Sequence, residues 1–170
     1  MQPELNFRLR DLEQPDSLRI IEYSESNRNS LLEILSDRTL LERLYPQTHR
    51  PPPVTRVIFD WTNAPLNGQG YQLAIIRSAD DRLLGCVRLD HQELSYFIDR
   101  PFWGQGYGAR AVKWVSENIL SKSKGALFHA FTERDNLASI RLLESAGFAF
   151  SGLTQQRSRF KTLLQYRLRT

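Results

Sequence analysis

The stretch "RPFWGQGYGARAVKWV", residues 100–115, places glycines at 104, 106 and 108, between one segment that alternates like a strand and another with helical periodicity. Glycine at such a junction lets the backbone turn sharply and lets a ligand come close to main-chain N–H groups. The first turn of a helix has N–H groups without intrahelical partners and the positive end of the helix dipole, so a helix that begins this way suits a phosphate. A tight turn with no ligand needs one glycine; three at alternate positions imply close approach by something. Gly104-x-Gly106-x-x-Ala109 also satisfies the dinucleotide fingerprint G-x-G-x-x-G/A, and a strand-like segment ending at Glu133 follows. Spacing alone leaves both phosphate readings open. Against the dinucleotide reading, the motif follows several short hairpin-like segments, where a dinucleotide fold would open with a repeated βαβ unit.

The elements around the motif are legible from periodicity. "FRLRDL" (7–12) alternates as a half-buried strand does. Residues 15–44 read as helical, opening on Pro15 and Asp16 and carrying leucines at helical spacing. The Pro-rich "YPQTHRPPPVTR" (45–56) reads as loop or extended chain, and 57–70 ends in turn residues. Runs 71–77, 83–89 and 94–98 read as successive antiparallel strands. The helix after the glycines runs to about Leu120, with Ala111, Val112, Val115 and Ile119 on one face. Residues 126–133 read as a strand. A short helix over 136–148 has Asn136 as its cap and Gly147 past its end, and 163–169 reads as a closing strand.

Composition bounds the rest. The chain has 170 residues, 41% hydrophobic and 25% charged, which suits one globular domain over 1–170 with its own core. The net charge of +4 permits an anionic ligand, but the basic residues are dispersed, with no block that announces nucleic acid. The lone Cys86 lies in an apolar run and reads as a small buried hydrophobe. No apolar run has membrane-spanning length and no secretory signal is visible, so a cytoplasmic location is expected.

"LSYFIDRPFWGQGYGARAV" followed by "TERDNLASIRLLESAGF" resembles the GNAT superfamily of acetyl-CoA-dependent N-acetyltransferases, and within it the RimJ/RimL-type branch. Gly106 and Gly108 match the family's Arg/Gln-x-x-Gly-x-Gly/Ala motif, while Trp103 stands where the Arg or Gln would be. The resemblance implies an α+β fold: a mixed, mostly antiparallel sheet of about seven strands, splayed in a V between the fourth and fifth, with helices on both faces. It implies acetyl-CoA as co-substrate, no metal, and a primary amine as acceptor, on a protein N-terminus or a small molecule. Main-chain donors at Gln105, Gly106, Tyr107, Gly108 and Ala109 would wrap the pyrophosphate. Arg110 and Lys113 would meet the adenosine 3′-phosphate, and the strand ending in Phe97 and Ile98 would pair with the pantetheine. Glu93 would be the base, with Asp90 and His91 as rivals. Asn136 and Ser139 match the branch's Asn-x-x-Ser; Ser139 would serve the departing thiolate, Asn136 would bond the pantetheine, and Arg141 would reach the phosphates. His129 is expected to be structural. A non-catalytic acyl-CoA-binding or RNA/ribosome-binding protein on the same fold is the alternative. The chain would act as a monomer or homodimer.

Overall fold

The computed structural model describes residues 17–45, 52–62, 70–155 and 161–170; the strand expected at 7–12 lies outside them. Seven strands form one sheet: β1 (Leu18–Glu22), β2 (Gly70–Arg77), β3 (Arg82–Asp90), β4 (Glu93–Ile98), β5 (Leu127–Thr132), β6 (Ala149–Thr154) and β7 (Leu163–Arg169). Their spatial order is β1-β2-β3-β4-β5-β7-β6. Every pairing is antiparallel except β4 with β5.

Among the described residues between β1 and β2 are the α-helices α1 (Arg28–Ile34), α2 (Arg38–Leu44) and α3 (Val54–Thr62). They cover one face of the sheet. Leu31, Leu40, Leu41, Val57 and Trp61 pack on Ala74, Cys86 and Phe97. The other face carries α4 (Tyr107–Asn118) and α5 (Leu137–Ser145), whose Ala111, Val112, Val115 and Leu143 pack on Val87, Leu94, Phe128 and Tyr166. The helix face read from α4's periodicity is the buried one. In α5 the cap also follows the sequence: Asn136 Oδ1 accepts from Ser139 N–H at 3.2 Å, and Phe148 N–H reaches Leu143 O at 3.0 Å.

Three expectations need correction. Residues 18–22 are a strand, not the start of a helix. Leu18 and Ile20 are buried, and β1 pairs with β2 from Leu18↔Arg77 to Glu22↔Leu73, so a tertiary partner decides between two readings of a short apolar run. Next, the leucine periodicity of 28–44 runs through a break, where Asp37 starts a new helix by accepting from Thr39 N–H (2.8 Å) and Leu40 N–H (3.2 Å). Finally, the Pro-rich segment ends earlier than expected: Pro53 O accepts from Arg56 and Val57 N–H, and α3 follows. Strand β6 is an addition.

Among the described residues the parallel crossover β4–α4–β5 is not repeated, and β4 is antiparallel to β3. A doubly wound dinucleotide fold is therefore not the architecture.

Candidate active site

Two features of the backbone make the site. The first is the start of α4. Asp99–Trp103 forms a tight turn, and Gly104 and Gly106 adopt φ of 75° and 81°, a region that side chains with a Cβ rarely enter. A Cβ on Gly106 would have no protein atom within 4 Å, so the turn faces open space. Gly108 has a different reason. Its Cβ would lie 3.1 Å from Leu142 Cδ1 and 3.4 Å from Ile98 Cγ1, so its absence lets α4 settle against α5 and β4. Arg110 N–H is the first to find an intrahelical carbonyl, that of Gly106 at 3.1 Å; the N–H groups of Gly108 and Ala109 point out of the helix end.

The second feature is the splay of the sheet. β4 and β5 share one register pair, Glu93↔His129, with His129 N–H bonded to Gln92 O at 2.7 Å. Beyond it the strands part. In β4 the backbone groups alternate in direction. Asp99 N–H donates to Leu84 O on the β3 side, whereas Gln92 O faces β5. With an unshifted register between them, the main-chain groups of Leu94, Tyr96 and Ile98 point into the splay, and those of Ser95 and Phe97 point to β3. The open edge is thus Tyr96 and Ile98, rather than Phe97 and Ile98. One of its acceptors is already engaged: Trp103 Nε1 donates to Ile98 O at 2.6 Å.

The splay and the helix start open into one cleft of about 1540 Å³. It is lined by Glu93, Phe97, Ile98, Gly106, Tyr107, Gly108, Ala109, Asn136, Ser139 and Arg141, which brings together ten of the residues singled out in the sequence. Gln105 and Arg110 are not among the lining residues. Gln105 Nε2 donates back to Pro101 O at 3.0 Å, and the Arg110 guanidinium lies 5.9 Å from the centre of the Tyr107 ring. Lys113 is exposed and pairs with Glu117 at 3.8 Å.

Residues outside the sequence's candidates also reach the cleft. Tyr96 donates its hydroxyl to Ser139 Oγ at 2.9 Å, and burial pushes the phenol up to about 12, with the Ser139 bond opposing. His129 lines the cleft rather than serving only the core. Its Nδ1 lies 3.2 Å from Gln165 Nε2, and burial, with the charge of Arg167, lowers its pKa from the ordinary histidine value. At the far end Asp90 Oδ2 accepts from Arg88 (2.8 Å), and its Oδ1 contacts His91 Nδ1 (2.8 Å). Arg88 also donates to Asp60 O at 2.8 Å, so the hairpin after β3 is tied to α3. Half-buried Glu93 sits between this cluster and His129. Alternation marked Tyr96 only as a strand residue; nothing local in the sequence signals its partner. Among the described residues no group of His, Cys, Asp and Glu could hold a metal ion, and no helix is long and apolar enough to cross a membrane.

Sequence comparison finds 31% identity over 94 residues to "Probable N-acetyltransferase YjcK" of Bacillus subtilis (strain 168), covering 51% of this chain and 52% of that protein. The chain thus spans about half the length of the curated relative it matches. Among solved structures, the ribosomal L7/L12 α-N-protein acetyltransferase RimL with coenzyme A superposes with TM-score 0.73 at 17% identity, covering 91% of this chain and 96% of that one. Spermidine N-acetyltransferase of Vibrio cholerae, with coenzyme A and spermine, superposes with TM-score 0.70 at 12% identity, covering 89% and 94%. These likenesses establish the fold: a mixed, V-splayed sheet with helices on both faces. A family profile described as "Acetyltransferase (GNAT) domain" matches residues 17–149, most of the chain, and with it the glycine turn, the splay and the capped helix α5 take their place: the chain belongs to the GNAT acetyltransferase family.

Proposed function

We propose that this protein transfers an acetyl group from acetyl-coenzyme A directly to a primary amine. One observation carries the reading: the sheet parts immediately after Glu93↔His129, and the parted edge leads to the bare N-terminus of α4. A long, amide-rich, anionic co-substrate fits that combination. The first-turn N–H groups of α4 suit a pyrophosphate. The Tyr96 and Ile98 main chain suits amides that add to the sheet edge as a further strand would. An N–H on the same edge is placed to meet the thioester carbonyl as negative charge develops on it. The cleft volume accommodates both substrates.

The acceptor amine would enter from the Asp90–Glu93–His129 end. An α-amino group, with pKa near 8, costs about 1.4 kcal/mol to deprotonate at pH 7, whereas a lysine near 10.4 costs about 4.6 kcal/mol. Glu93 is the base in this reading, directly or through water. Ser139, facing the cleft from α5, meets the departing sulfur, and Asn136 and Arg141 contact the co-substrate's arm and phosphates. The structural neighbours named for spermidine, for a ribosomal protein's α-amino group and for aminoglycosides all act on amines, which supports the acceptor class.

The test is thiol release from acetyl-coenzyme A against a panel of polyamines, aminoglycosides and peptides with free N-termini. Release that depends on one amine class supports transfer and names the acceptor. Tight coenzyme A binding with no release for any amine would overturn transfer in favour of an acyl-coenzyme A-binding protein.

A further inference from the structure

The Tyr96 side chain has no part in the roles above, yet its hydroxyl has one protein partner among the described residues, Ser139 Oγ at 2.9 Å. The ring stands on the α4/α5 side of β4, with Cε2 3.9 Å from where a Cβ on Gly108 would be. Tyr96 is half-buried, and its phenol O–H stands within hydrogen-bond distance of the Ser139 oxygen, so pairing there is favoured over leaving the donor unpaired. Tyr96 therefore donates and Ser139 accepts. That occupies one of the serine's two lone pairs and leaves its own O–H proton to be placed elsewhere.

Where it goes is informative. Helical serines commonly fold their hydroxyl back onto a carbonyl one turn earlier. In this chain Ser145 in α5 does so to Leu142 O (2.7 Å), as do Ser36 and Ser121 just past the ends of α1 and α4, to Leu32 O (2.8 Å) and Glu117 O (2.6 Å), whereas Ser116 in α4 donates across to Ala146 O (2.9 Å). Ser139 does neither. Its hydroxyl oxygen takes the Tyr96 proton, and its own proton has no protein acceptor among the described residues. Both residues line the cleft beside the open edge of β4.

We infer that Tyr96 is a positioning residue: it holds the Ser139 hydroxyl so that the serine proton points at the thioester sulfur, and the thiolate leaves already hydrogen-bonded. The inference rests on the proposed transfer at this site. In that step the C–N bond forms, the C–S bond breaks, and its electron pair goes to sulfur. The proton lost by nitrogen leaves through the base or solvent, and sulfur departs as a thiolate held by Ser139. The tyrosine keeps its proton throughout, as its raised pKa of about 12 requires. Two hydroxyls in series polarise one another, so the serine is a stronger donor than it would be alone. The leaving group is thus met by a serine on α5, backed by a tyrosine from the sheet.

Two measurements on folded protein test this. Tyr96→Phe is expected to lower kcat about tenfold with little change in KM for acetyl-coenzyme A. Ser139→Ala is expected to lower it at least as much, and the double variant to match Ser139→Ala alone, since Tyr96 acts only through the serine. Multiplying losses would overturn the inference. The second measurement needs binding alone: the thiol pKa of bound coenzyme A, read by the ultraviolet absorbance of its thiolate. It should rise by about half a unit or more in Tyr96→Phe, by the same or more in Ser139→Ala, and no further in the double variant. Every other charged or titratable group lining the cleft, among them Asp90, His91 and Glu93 at the β3–β4 hairpin, His129 on β5, Glu133 and Asp135 before α5, Arg141 on α5 and Arg167 on β7, is common to all variants. Failure of every amine would sink transfer but leave this titration standing; equal thiol pKa values in wild type and Tyr96→Phe would overturn the inference itself. Should Tyr96→Phe not fold, 3-fluorotyrosine at 96, a stronger donor of unchanged shape, should lower the bound thiol pKa, and no change would overturn the inference.

Discussion

Gly106 concentrates the site's requirements in one residue. Its φ of 81° excludes most side chains on backbone grounds, and the direction a Cβ would take is open. Asparagine tolerates this left-handed region better than other residues with a Cβ. Gly106→Asn should therefore fold with near-normal stability yet project a side chain into the mouth of the cleft. Loss of two charge-assisted bonds, at about 1.5–3 kcal/mol each, predicts coenzyme A affinity at least tenfold weaker by calorimetry. Unchanged affinity would remove the helix start from the binding site. Glu93 is tested through pH. If it is the base, Glu93→Gln should cost most at low pH, where the amine is protonated, and the loss should shrink as pH rises toward the amine's own pKa. A loss independent of pH in the kcat/KM profile would assign Glu93 to positioning the acceptor.

Among the elements, α2 and the turn before the glycines are held together by one carboxylate. Asp37 caps α2 through Thr39 and Leu40 N–H and accepts from Arg100 Nε with its other oxygen. The Arg100 bond is the main reason its pKa lies below the usual carboxylate value, with the backbone donors adding to it. Asp37→Ala should destabilise the fold by about 1–2 kcal/mol, most of it the lost cap. The Arg100 pair, with the arginine largely exposed, contributes a fraction of that. The sign with pH follows from linkage. A carboxyl whose folded pKa is depressed adds stability above its unfolded pKa of about 4 and loses it as pH falls through the lower folded value. Thermal melts of Asp37→Asn, which keeps a good cap without the charge, should show a smaller loss near neutral pH and a shallower decline below pH 4. Equal acid declines in wild type and Asp37→Asn would contradict the assignment.

At the level of the whole molecule, one sheet carries two cores on opposite faces, and the cleft runs where β4 and β5 part. A ligand in that cleft bridges the two halves of the sheet and binds only the folded state. At a free concentration about 100 times its Kd, coenzyme A should add about 2.7 kcal/mol to stability, a rise of several degrees in Tm for a chain of this size. NADH at the same concentration should add none. A shift with NADH alone would revive the dinucleotide reading of the glycines in spite of the topology.

What the sequence determined by itself is local. The glycine turn, the amphipathic α4, the cap and stop of α5, the meander β2–β4 and the strands β5 and β7 follow from spacing and turn chemistry within a few residues. So does the burial of Cys86, while the resemblance of the two motifs to a family is what singled out Glu93, Asn136 and Ser139, which the fold brings to one cleft. Tertiary structure decided whatever depends on a distant partner. "LRIIE" is a strand because β2 lies beside it. β6 exposes Phe150 and Leu153, so no buried alternation announced it, and only pairing with β7 makes it a strand. His129 enters the cleft because β5 meets β4 at one residue pair. Trp103 closes onto the Ile98 carbonyl across a turn, and Tyr96 meets Ser139 across 43 positions of chain. Periodicity reports which face of an element is buried, but which two hydroxyls stand 2.9 Å apart is set by how α5 is seated on β4, and that is a property of the packed whole.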